Sequence, residues 1–75
     1  WNNGYFRFNK ADIHTIMLQL SRWYDAEVSY EEGTAPHYFG AIISRDNNIS
    51  QILHMLEATG EVHFKVNGKK ITVMP

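Results

Sequence analysis

The chain contains no cysteine, so it forms no disulfide and offers no thiolate to a metal or a redox reaction. That absence suits a reducing and an oxidising compartment equally well. An excess of charge is also missing: seven basic residues against eight acidic ones leave a formal net charge of −1. A chain so balanced has no global attraction for phosphate, which argues against nucleic acid as a partner. No apolar run approaches the roughly 18 residues of a membrane span, and no basic stretch followed by an apolar one resembles a secretory leader. The sequence opens on Trp1-Asn2-Asn3-Gly4 without an initiator methionine. It is read as a piece excised from a longer protein, whose targeting or membrane segment would lie upstream.

What is present suits a small globular core. The hydrophobic fraction is 44% and the aromatic fraction 13% over 75 residues, a length that predicts one domain spanning 1–75. A domain of this size buries only about 60% of the surface its unfolded chain exposes. Tyr5-Phe6-Arg7-Phe8 predicts a short strand with Phe6 and Phe8 on one face. Asn9 is placed to cap a helix, with Asp12 at capping-box spacing behind it. Ile13, Ile16, Met17, Leu20, Trp23 and Tyr24 recur at the helical period and predict one buried stripe, with Trp23 and Tyr24 anchoring the helix end in the core. Val28 and Tyr30 alternate with Glu27 and Ser29 as a half-buried strand, and residues 31–36 form a loop through Gly33 and Pro36.

The segment 37–44 is apolar on both faces, since Tyr38, Gly40 and Ile42 alternate with Phe39, Ala41 and Ile43. The face of Tyr38, Gly40 and Ile42 is assigned to the core, which leaves Phe39 and Ile43 on a second apolar face, either in a double-sided core position or as surplus surface open to a partner. Asn48 and Gln51 have capping-box spacing for a second helix whose stripe is Ile49, Ile52, Leu53 and Leu56. Gly60 suits a left-handed position after that helix. Val62, Phe64 and Val66 then alternate as an inner face, and Asn67-Gly68 signals a hairpin that sets Phe64 opposite Ile71. The predicted class is α+β, a duplicated βαβ arrangement in the order β-α-β-β-α-β-β, with two helices packed against small β-sheets.

Chemistry finds little footing in these residues. His14, His37, His54 and His63 have no i, i+4 spacing and no completing carboxylate, so they predict solvated side chains and no metal site. No nucleophile motif surrounds Ser21, Ser29, Ser44 or Ser50, and the isolated glycines build no phosphate loop, so neither catalysis nor a cofactor is expected. Lys65, Lys69 and Lys70 cluster at a hairpin tip and read as a solvated turn. Surface recognition fits better. Leu18 lies about 140° round the helix from Ile13, on the face that holds Thr15 and Arg22. Together with Phe39, Ile43 and the outward Met74, these residues form the candidate partner interface: Leu18, Arg22, Phe39, Ile43 and Met74. Main-chain pairing at an open strand edge would add affinity.

One set of features carries a family resemblance: the early aromatic strand, a helix closing on Leu20-x-Arg22-Trp23-Tyr24-Asp25, Val28-x-Tyr30, Tyr38-x-Gly40-x-Ile42, Leu53-x-x-Leu56, and the final Gly68-Lys69-Lys70-Ile71 hairpin. Across nearly its whole length the chain resembles the small C-terminal domain of FecR-like anti-sigma regulators, itself similar to the secretin and TonB short N-terminal domain. Tyr38 stands where the family commonly has phenylalanine, which predicts a hydroxyl near the core edge. The resemblance implies a periplasmic domain of a single-pass inner-membrane protein, reached through an unseen upstream span. Its implied partner is the periplasmic signalling domain of a TonB-dependent outer-membrane receptor. An extracytoplasmic-function sigma factor would be held by an unseen cytoplasmic region. The resemblance implies no catalytic residues and no cofactor. A secretin-type assembly module and a small-ligand sensor are the competing readings, the latter requiring an apolar pocket with convergent polar groups.

Overall fold

The computed structural model describes residues 4–75; the opening residues 1–3, on which the reading of an excised piece rests, lie outside the described residues. The elements run β1 (Tyr5–Asp12), α1 (Ile13–Tyr24), β2 (Glu27–Tyr30), β3 (Tyr38–Ser44), α2 (Ile49–Glu57), β4 (His63–Asn67) and β5 (Lys70–Met74). This is the α+β order expected from the hydrophobic periods. The strands form a two-stranded sheet, β1-β3, and a three-stranded sheet, β2-β5-β4. Two of the pairings cross between the halves of the chain: β1 is antiparallel to β3, and β2 is parallel to β5. Neither βαβ half therefore closes a sheet by itself.

Strand β1 runs four residues further than the aromatic alternation suggests. Asn9 does not cap α1; Asp12 does, its Oδ1 accepting from the Thr15 amide at 2.8 Å. The reason is pairing: after a bulge between Phe8 and Ala11 the ladder resumes, placing Ala11 opposite Phe39 and Asp12 opposite Tyr38. Those long-range bonds override a local capping preference. Lys10 takes a positive φ of 51° inside this irregular stretch. The second helix starts as its sequence predicts, with Asn48 and Gln51 exchanging side chain-to-backbone bonds of 2.9 and 2.8 Å.

Ile13, Ile16, Met17 and Leu20 of α1, and Ile52, Leu53 and Leu56 of α2, join Phe6, Phe8, Phe39, Ile43, Val62, Ile71 and Val73 in a single core. Both sheets and both helices contribute to it. The helical stripes are thus satisfied by one shared interior, which a lone two-stranded ribbon could not supply.

The face of β3 is the reverse of the one expected. Phe39 and Ile43 are buried, 7% and 5% exposed, whereas Tyr38 and Ile42 are 64% and 66% exposed. Register explains this: Phe6 is opposite Ile43 and Phe8 opposite Ala41, and residues directly opposite each other share a face. Once Phe6 and Phe8 point inward, the odd-numbered residues of β3 must follow. The Tyr38 ring accordingly stands on the outer face, away from the core edge.

The hairpin register also differs from expectation. Asn67 pairs with Lys70, so Gly68-Lys69 is the turn and Phe64 lies opposite Val73 rather than Ile71. Gly68 has a φ of 60° while Lys69 has no positive φ, the pattern of a hairpin turn with glycine at its first central position. Val66, expected to face inward, is exposed although Ile71 opposite it is buried; β5 is the central strand of its sheet and β4 an edge. Gly60, after α2, takes the predicted left-handed φ of 81°.

Lys69 at the hairpin tip donates to the Asp25 carboxylate at 2.8 Å, joining the turn to the end of α1. The Thr15 amide bond holds the Asp12 carboxyl below the ordinary value of 3.8, and the Lys69 hydrogen bond does the same for Asp25.

Two outcomes follow for stability. Ile16→Ala should cost about 2–5 kcal/mol by chemical denaturation, because its side chain is fully enclosed; Leu18→Ala, on the opposite face, should stay within about 0.5 kcal/mol. For both depressed carboxyls the folded state binds its proton less tightly than the unfolded chain. Their contribution is therefore present above the unfolded value and lost as pH falls through the folded one. The melting temperature should drop on acidification from about pH 5 to about pH 2, with a smaller drop in Asp12→Asn and Asp25→Asn variants.

Candidate functional site

The aromatic pair that ends α1 divides its roles. Tyr24 is half-buried against the core, and its hydroxyl donates to the Asn47 carbonyl in the turn before α2. Burial pushes the Tyr24 phenol above its ordinary value of 10.0, with nearby Arg45 opposing. Trp23 does not anchor the core: it is 51% exposed. The helix axis carries its ring past the edge of the interior, where it meets Phe6 edge-on at 6.2 Å and 88°.

Arg45, in the turn after β3, occupies the space beside these rings. Its guanidinium carbon lies 4.5 Å from the centre of the Phe6 ring and 4.5 Å from that of Trp23. A guanidinium is planar and weakly hydrated, so it tolerates two aromatic faces better than an ammonium would. The Arg45 amide donates to the Gly4 carbonyl at 2.7 Å, fixing the backbone from which the side chain departs. Among the described residues, Arg45 Nε is the one buried side-chain nitrogen or oxygen without a hydrogen-bond partner.

Phe6, Gln19, Arg22, Trp23 and Arg45 line an open cleft of about 240 Å³. Gln19, Arg22 and Trp23 stand at i, i+3 and i+4 on the last turns of α1 and so share one helical face. Two arginines, Arg22 and Arg45, line this cleft. The sequence marked Arg22 as a recognition candidate, but Arg45 escaped it. Nothing in the local pattern around Ser44-Arg45-Asp46 announces a residue that folds back onto Phe6 and Trp23.

A second surface lies on the outer face of the β1-β3 sheet. Tyr38 and Ile42 project there, with Tyr5 and Arg7 alongside, the Arg7 guanidinium 5.7 Å from the centre of the Tyr5 ring. The other members of the expected interface are scattered. Leu18 is exposed on the solvent side of α1, Arg22 borders the cleft, and Met74 is half-buried at the end of β5. Phe39 and Ile43 belong to the core and offer no surface. Of the hairpin lysines, Lys69 is paired with Asp25.

The histidines are dispersed: His14 stacks on Tyr30 at 4.2 Å, and His37 lies 3.8 Å from Glu61. Among the described residues no group of three His, Asp or Glu side chains is placed to hold a metal ion. No helix among them is long and apolar enough to cross a membrane.

Truncating Trp23 should therefore cost less than truncating a core aromatic. A double-mutant cycle with Trp23→Ala and Arg45→Ala should give a coupling of about 0.5–2 kcal/mol, read by chemical denaturation. Zero coupling would mean that the ring and the guanidinium do not attract.

Comparison with known proteins accords with this geometry. Two crystal structures of a candidate anti-sigma factor from Parabacteroides distasonis superimpose with TM-scores of 0.82 and 0.84 at 15% identity. They cover 93% and 95% of this chain, which spans 33% of each of those longer proteins. At that identity the likeness concerns the fold. No curated protein matches the sequence. The family model described as FecR, C-terminal, matches residues 5–73, every element from β1 almost to the end of β5, and the chain belongs to the FecR C-terminal family.

Proposed function

We propose that this chain is the periplasmic protein-interaction domain of a FecR-like transmembrane anti-sigma factor. In this role it relays the state of a TonB-dependent outer-membrane receptor to an extracytoplasmic-function sigma factor. The observation that carries the reading is the family match over residues 5–73. The fold shared with the candidate anti-sigma factor of Parabacteroides distasonis is consistent with it. The receptor's periplasmic signalling domain is the partner, and the sigma factor is held elsewhere in the parent protein. The domain acts by binding, without catalytic turnover or a cofactor.

Strand β3 is the surface best suited to that partner. Among the described residues it is paired on one side only, by β1, and the run Tyr38 to Ser44 carries no charged residue. Uncharged, regular edges invite pairing, whereas bulges, charges and covering groups discourage it. The other edges carry such features. Strand β1 is interrupted by its bulge and by Lys10, β2 is four residues long, and the β4 amide at Phe64 donates to the Glu57 carboxylate at 2.9 Å. A partner strand added to β3 would gain main-chain hydrogen bonds and meet Tyr38 and Ile42 on the outer face. Leu18, Arg22 and Met74 would enlarge the contact only if the partner wraps beyond that sheet. Loading of the receptor would alter the availability of its signalling domain and shift the bound population accordingly.

Binding of the cognate receptor's signalling domain to Tyr38→Glu and Ile42→Glu variants tests this surface. Each should weaken binding by about tenfold or more, with circular dichroism unchanged because both side chains are exposed. Folded variants that bind like wild type would remove β3 from the interface. No binding by the wild-type domain would remove the receptor as partner.

A further inference from the structure

We propose that the cleft formed by Phe6, Gln19, Arg22, Trp23 and Arg45 is a binding site for the carboxylate of an acidic side chain on a partner protein. Two arginines line the cleft, and the Arg45 guanidinium is held in it by the Phe6 and Trp23 rings. Among the described residues no carboxylate lines it, and neither Arg22 nor Arg45 is in an ion pair. The cation of Arg45 is partly withdrawn from water between two rings, and its Nε lacks an acceptor. The ring faces offset part of that desolvation, but a π-face is a weaker counter-charge than an anion. A carboxylate entering the cleft supplies the missing negative charge where the dielectric is lower than in bulk water, so its attraction to both guanidinium groups is strengthened.

The choice of a carboxylate over other anions follows from the walls. They are mostly hydrocarbon, built from the Phe6 and Trp23 rings, and they suit a carboxylate borne on methylene groups better than a heavily hydrated phosphate. Gln19, one turn before Trp23, adds an amide donor at the rim. The exposed half of Trp23 offers an apolar surface to the rest of the partner, in keeping with the pairing of tryptophan and arginine at binding hot spots. None of the residues lining this site belongs to β3, and the proposal is independent of the receptor reading. A receptor that fails to bind β3 leaves the cleft unaffected, and an empty cleft leaves the anti-sigma reading in place.

The probe is a capped peptide carrying adjacent glutamates, titrated into the isotope-labelled chain and followed by NMR. The Trp23 indole N–H and the Nε–H signals of Arg22 and Arg45 should shift together and saturate, with a Kd on the order of 1 mM. The same peptide with glutamines should produce no saturable shift. Arg22→Gln should weaken glutamate-peptide binding about threefold or more; Arg22 is exposed and outside the core, so this variant keeps the test valid even if Arg45 variants unfold. Equal binding of the glutamine peptide, tighter saturation by inorganic phosphate, or shifts centred on Lys65, Lys69 and Lys70 would each overturn the proposal, as would the absence of any saturable shift.

Discussion

The antiparallel register that sets Phe6 opposite Ile43 is the constraint on which the rest of the molecule depends. It turns Phe6, Phe8, Ala41 and Ile43 toward the helices and leaves Arg7, Tyr38 and Ile42 on the outside. A slip of one residue would reverse every one of these assignments. The same register draws β1 through its bulge to Asp12, so that the strand ends on the residue that caps α1. Strand pairing and helix initiation are thereby joined at one side chain. No linker separates the two elements.

Phe6 also connects this sheet to the candidate site. Its ring contacts Phe8, Trp23 and Tyr24 and lies beneath the Arg45 guanidinium. An aromatic buried by the core thus turns a face, the negative side of its quadrupole, to a cation while meeting the Trp23 ring in an edge-to-face contact. The cleft is therefore supported from below by the most enclosed part of the structure. Arg45 is already held between two rings, so less ordering of that side chain would be needed on binding.

The exchanged sheets give this small domain a particular division of labour. Both sheets are needed to cover the helices, so cohesion is spread over pairings between distant parts of the chain. The edges, by contrast, are individually short and unequally protected. Among the described residues only β3 combines regular pairing with a run of uncharged residues, and its outer face carries the two most exposed large apolar side chains among them, Tyr38 and Ile42. The fold concentrates its unsatisfied apolar surface beside an available row of backbone donors and acceptors, a combination suited to recognition by strand addition.

The sequence by itself determined the elements whose signals are local. The stripe Ile13, Ile16, Met17, Leu20 needs only the helical period, and the Asn48-Gln51 capping box needs only a spacing of three. Gly60 and Gly68 report backbone conformations that other residues adopt at a cost. The order of elements, and with it the family resemblance, was legible for the same reason. Tertiary structure decided the rest. Tyr38, Gly40 and Ile42 and Phe39, Ala41 and Ile43 are equally apolar alternations, and only pairing with β1 distinguishes the inner set from the outer. Trp23 continues the helical stripe in sequence, but the core ends before reaching it. Arg45 acquires its place from three segments that meet only on folding, the start of β1, the end of α1 and the turn after β3. Periodicity describes which residues can share a face; which face becomes the interior depends on partners far away in the chain.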